Sequence, residues 1–172
     1  MKKHYATLIF LFCIFYSLNG LAQMKTSLEK FNHLVEGIWL SEGEWSNGQK
    51  FKQEVDFEWG LDHKIVKVQT YGTIDPKTQE YGLRNEGVRA YNAKDSMIQF
   101  WEFDIFGGIT KGVCYFEGEN LHYEYDYHGE KLKESWIYVD QDHYDYQIAS
   151  LKDGKIEKIY MKSSYKRTQK KD

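Results

Sequence analysis

Hydrophobic and polar residues alternate with period two along most of this chain. The cleanest run sets Phe51, Gln53, Val55, Phe57 and Trp59 against Lys52, Glu54, Asp56 and Glu58. Leu121, Tyr123, Tyr125 and Tyr127 alternate in the same way with His122, Glu124 and Asp126. A strand points successive side chains to opposite faces, so this pattern gives one face to a core and the other to water. Ten such segments are predicted: 39–45, 51–59, 64–71, 81–91, 97–105, 109–116, 121–127, 132–139, 144–151 and 156–165. Turn chemistry separates them, as in Ser46-Asn47-Gly48, Asp75-Pro76-Lys77, Gly107-Gly108, Gly118-Glu119-Asn120, His128-Gly129 and Lys152-Asp153-Gly154.

Connections this short force sequence neighbours to pair antiparallel, which makes a meander. Strand twist curls so long a meander, and closing it removes both edges. The predicted fold is therefore all-β: a ten-stranded antiparallel up-and-down barrel over residues 37–167, with a two-sheet sandwich as the alternative. A barrel of ten strands is wide enough to leave a cavity near one end. One short helix is expected ahead of it, over residues 23–36. Thr26 and Glu29 have capping-box spacing, Leu28, Phe31 and Leu34 share a face, and Asn32 and Gly37 end it. A helix so short needs support, so it is expected to plug one end of the barrel.

The two ends read differently. Lys2 and Lys3 precede an apolar run from Ala6 to Tyr16, and Gly20-Leu21-Ala22 offers small residues for cleavage. That is the pattern of a signal peptide over residues 1–22, too short to be a membrane span. It implies an exported protein, periplasmic or extracellular, starting at Gln23 and without a membrane span after cleavage. Losing two lysines takes the formal charge from −3 to −5. That balance argues against nucleic acid as a partner. Residues 168–172 form a short basic tail. Only Cys114 survives processing, so no internal disulfide forms; its strand-like surroundings suit a buried, inert thiol.

Gly37-Ile38-Trp39 opens the first strand, and Arg167 follows the last in Tyr165-Lys166-Arg167. This pairing resembles the signature of the lipocalins and calycins, in which an indole at the barrel's closed end lies under an arginine. The resemblance implies a closing role for Trp39 and Arg167. Glu86-Gly87-Val88-Arg89-Ala90-Tyr91-Asn92, Trp101 and Asp142-His143-Tyr144-Asp145-Tyr146 resemble bacterial lipocalin-like proteins of the DUF1579 type. The stretch Gly37-Ile38-Trp39-Leu40-Ser41-Glu42-Gly43 is also similar to the opening of nitrobindin-like haem barrels. Their proximal ligand is a late histidine, and residues 144–172 hold none. Haem is therefore not expected, and no other cofactor is implied.

No catalytic or metal motif stands out. No two histidines share a ligand spacing, and each reads best as a surface residue. Parity carries Glu134 inward with Leu132, Trp136 and Tyr138, because Lys133 on the other face prefers water. The expected ligand pocket is lined by Trp101, Tyr123, Tyr125, Glu134, Trp136 and Tyr146, away from Trp39. Glu134 should have a raised pKa unless Arg84, Arg89 or a tyrosine hydroxyl partners it. The favoured function is binding of a small, largely apolar molecule in the barrel. A small isomerase or hydrolase using Glu102 or Glu134 is the second reading, and an aromatic-surfaced carbohydrate-binding module the third.

Overall fold

The computed structural model describes residues 28–169 apart from Pro76; the segment read as a signal peptide and the last residues of the basic tail lie outside these. Ten strands follow one another: β1 (Ile38–Trp45), β2 (Lys50–Gly60), β3 (Ile65–Asp75), β4 (Glu80–Asn92), β5 (Met97–Asp104), β6 (Ile109–Glu117), β7 (Asn120–Tyr127), β8 (Glu130–Asp140), β9 (His143–Lys152) and β10 (Lys155–Thr168). Each pairs antiparallel with its sequence neighbours, and β1 pairs with β10 to close the barrel. The sandwich alternative is excluded. Five of the turns use a glycine at positive φ, Gly48, Gly107, Gly118, Gly129 and Gly154, where a side chain would be strained.

Among the described residues only Leu28 and Glu29 are helical. Residues 30–36 form hydrogen-bonded turns, with Leu34 N–H donating to the Phe31 carbonyl at 2.9 Å. The first part of the helix expected over 23–36 lies outside the described residues. The apolar side chains assigned to its inner face are nonetheless buried. Phe31 and Leu34 are fully covered and belong to the same hydrophobic cluster as Trp39, Phe57 and Trp136. Phe31 meets Phe116 edge-on, with centroids 5.0 Å apart.

Trp39 organises this end of the barrel. It has no exposed surface, and its Nε1 donates to the Leu34 carbonyl at 2.9 Å. Its ring meets Tyr144 and Trp136 edge-on at 5.2 and 6.2 Å. Arg167 stands opposite it in the β1–β10 register, with the guanidinium 5.7 Å from the ring centroid. The same guanidinium donates to Asp142 at 2.7 Å and to Glu36 at 3.0 Å. Gly37 permits this approach, since a Cβ there would stand 2.7 Å from Arg167 Cγ and from the Thr168 carbonyl oxygen. Arg167→Ala is expected to cost about 0.5–2 kcal/mol, the range for a cation on an aromatic face with partly exposed ion pairs. A denaturation midpoint equal to the parent's would contradict that.

Cys114 is buried on β6 as a free thiol, and burial pushes its pKa up to about 12. Little of it would be thiolate, the reactive form, at neutral pH.

Candidate functional site

At the end away from Trp39 the barrel opens into a cavity of about 800 Å³. Its apolar wall includes Phe51, Phe100, Leu132 and Ile148, and its mouth includes the β1–β2 turn at Ser46, Asn47 and Gln49. A second, deeper pocket of about 120 Å³ continues toward the core, floored by Phe57, Trp136 and Tyr165. Gln53, Glu102, Tyr123, Glu134 and Ile148 line both, so they form the neck between the two.

Glu134 enters the neck from β8 because Lys133 and Ser135 take the outer face. Tyr125 from β7 donates its hydroxyl to Glu134 at 2.5 Å, and Tyr146 from β9 donates at 2.7 Å. The tyrosine partner expected for this carboxyl is thus present twice. Its pKa is nevertheless raised: burial is the main cause, the nearby Glu102 carboxylate adds to it, and the two tyrosines and Arg89 oppose it.

Glu102 enters from β5. Arg89 of β4 donates to it through Nη2, and Asn85 donates at 3.2 Å. Arg89 is almost wholly buried and also donates from Nε to the Tyr123 hydroxyl at 3.2 Å. Its guanidinium lies 5.0 Å from the Tyr123 ring centroid and 5.6 Å from that of Phe100. Gly87 makes this crossing possible. It lies on the same face as Arg89, and a Cβ there would stand 2.7 Å from Glu102 Cγ and 2.2 Å from the Trp101 carbonyl oxygen.

The residues expected in the pocket are thus placed as follows. Tyr123, Tyr125 and Glu134 line the main cavity, and Tyr146 and Trp136 line the deep pocket. Trp136 is also core, stacked on Tyr165 at 4.1 Å. Trp101 is not in the cavity. Phe100 and Glu102 point inward, so the residue between them is carried to the outer wall, opposite Lys111 of β6. Glu102 and Glu134, whose meeting the alternation left open, come together at the neck. Arg89 partners Glu102 rather than Glu134, and Arg84 donates to the Thr73 carbonyl at 2.8 Å.

Two histidines depart from the surface reading. His122 sits on the outer wall but is only 4% exposed, covered by Tyr115 and bonded through Nδ1 to Ser135 Oγ at 2.9 Å. His33 lies within 2.6 Å of the Tyr144 hydroxyl at the closed end. Burial lowers the pKa of both. Among the described residues no group of three or more His, Cys, Asp or Glu side chains is arranged to hold a metal ion. No helix among them is long and apolar enough to cross a membrane.

The raised Glu134 pKa carries a stability consequence. A carboxyl with a folded pKa above its unfolded value contributes stability that is fully present below the unfolded value. That stability is lost as pH rises through the folded value. Glu134→Gln is therefore expected to flatten the decline in stability above the ordinary glutamate range, leaving the variant no less stable than the parent at pH 8. Parallel pH–stability curves for the two proteins would remove Glu134 as the titrating group.

No family model matches the chain, and no curated protein matches it. Among solved structures the chain is similar to an S-type phycobiliprotein lyase from Guillardia theta, with a TM-score of 0.51 and 12% identity over 87% of this chain and 97% of that one. It is similar also to a redesigned β-barrel, with a TM-score of 0.44 and 11% identity over 79% and 93% of the two chains. A third is EF1p2_mFAP2b, solved with DFHBI bound, with a TM-score of 0.42 and 11% identity over 83% and 100%. At such identities the likeness is one of fold alone.

Proposed function

We propose that this protein is an exported barrel of lipocalin-like type that binds a small, largely apolar molecule in its cavity. The observation that carries this reading is the cavity itself: about 800 Å³, open at one end, with a tapering polar neck and an aromatic floor. That volume lies in the range of small-molecule sites, which combine apolar walls with a few placed polar groups. Phe51, Phe100, Leu132 and Ile148 supply the apolar wall, and Glu102 and Glu134 supply the polar groups. Binding is favoured over catalysis because the Glu102 carboxylate is tied to Arg89 and Asn85, and Glu134 to two tyrosines. Export rests on the lysines, apolar run and small residues of positions 1–22.

Native mass spectrometry of protein secreted by its host tests both halves. The expected polypeptide mass is that of residues 23–172, carrying a small-molecule adduct. The adduct should vanish in Ile148→Trp, which fills the neck. Retention of residues 1–22 in the exported fraction would refute export, and an adduct that survives Ile148→Trp would place binding elsewhere.

A further inference from the structure

The neck of the cavity is one positive charge short. The charged side chains that line the deep pocket are Arg89, Glu102 and Glu134. Arg89 is committed to Glu102 and to the Tyr123 hydroxyl. Three cations line the outer chamber: the Arg84 guanidinium lies over the Phe106 ring and donates to the Thr73 carbonyl, Lys52 pairs with Glu42 at 3.0 Å, and Lys50 is exposed beside the β1–β2 turn at the mouth. Glu134 is thus held by two neutral hydroxyls. A carboxylate accepts about four hydrogen bonds, so two tyrosines leave capacity for a further donor. The surrounding rings add to this, since aromatic faces attract cations.

We propose that the molecule bound in the barrel carries a protonated amine at one end of an apolar, ring-bearing body, with the ammonium seated on Glu134 among the tyrosines of the neck. This rests on the reading of the barrel as a binding site. The ammonium supplies the charge the neck lacks, and the body lies against Phe100, Leu132 and Ile148 in the outer chamber. An anionic head would meet two carboxylates there. A neutral head would donate a hydrogen bond to the carboxylate but bring no positive charge, so it would lack the charge–charge attraction that an ammonium adds.

Burial, with the neighbouring Glu102 carboxylate adding to it, raises the Glu134 pKa, so a proton competes for the same oxygens. The groups around Glu134 are Tyr123 and Tyr125 from β7, Tyr146 from β9, Tyr165 from β10, Glu102 from β5 and Arg89 from β4. Burial raises the pKa values of those tyrosines, so they stay protonated across the range in which Glu134 titrates. Proton and ammonium therefore compete. Amine affinity should rise with pH through the folded Glu134 value, with a proton released on binding below it.

Three probes with one indole body and different heads test this by calorimetry on the mature chain: tryptamine, tryptophol and indole-3-acetate. Tryptamine is expected to bind about tenfold tighter than tryptophol, and indole-3-acetate weakest, since only the ammonium adds a charge–charge attraction to its hydrogen bond in the neck. In Glu134→Gln the preference of the site for tryptamine over tryptophol should collapse. The comparison among probes on the parent protein needs no variant, so a folding defect in Glu134→Gln does not blunt it. Equal or tighter binding of tryptophol or indole-3-acetate would overturn the cationic head and leave the binding reading standing. Failure of all three probes to bind would overturn both.

Discussion

Trp39→Ala is expected to lower stability by about 3–5 kcal/mol, the range for truncating a buried large aromatic. The side chain has no exposed surface, so the lost contacts are not replaced by solvent. It touches Trp136 and Tyr144 edge-on and anchors the Leu34 carbonyl, so its removal opens a void beneath β1, β8, β9 and the N-terminal turns together. Total stability of a domain this size is about 5–15 kcal/mol, so the loss would be a large share of it. Urea denaturation should show a lower midpoint with an unchanged slope. Trp39→Phe keeps a ring but loses the indole N–H, leaving the Leu34 carbonyl without that donor, and should cost about 1–2 kcal/mol. A Trp39→Ala midpoint within error of the parent would remove Trp39 as the closing residue.

Much of the barrel was legible in local pattern. The run from Phe51 to Trp59 and the run from Leu121 to Tyr127 both carry the period of a half-buried strand, and both are strands. Five predicted turns carry glycines at positive φ, where the chain reverses tightly. Glu134 was also legible, because a lysine beside it fixes which face is wet.

What escaped was decided by contacts between distant strands. Phe100 and Trp101 are adjacent aromatics, and local parity does not choose between them. Their orientation is settled by Glu102, which follows Phe100 inward to meet Arg89. A charged residue ordinarily argues for the wet face, so the cue pointed the wrong way. Gly87 held the better signal: a glycine inside a strand-like run marks a close approach, here that of Glu102. His122 reads as solvated from its neighbours, yet Tyr115 from β6 and Ser135 from β8 cover it.

Arg89→Leu is expected to be the most damaging substitution at the neck, costing about 3–5 kcal/mol at neutral pH, as does breaking a buried ion pair from one side. The guanidinium is almost wholly buried between the rings of Tyr123 and Phe100 and is tied to Glu102. Leucine would restore much of the apolar contact, so the cost is electrostatic rather than steric. Without Arg89 the neck holds two carboxylates and no cation, and the folded pKa of Glu134, which Arg89 opposes, should rise further. Carboxyls raised in this way contribute stability that is present below their unfolded values and lost as pH rises through the folded ones. The deficit of Arg89→Leu should therefore shrink on acidification from neutral pH toward the ordinary glutamate range. The double variant Arg89→Leu with Glu102→Leu should recover most of the loss at neutral pH, because replacing both partners of a buried pair by apolar groups is often neutral. A pH-independent deficit that Glu102→Leu does not relieve would show that Arg89 acts through its packing on Tyr123 and Phe100, and the charge count at the neck would lose its basis.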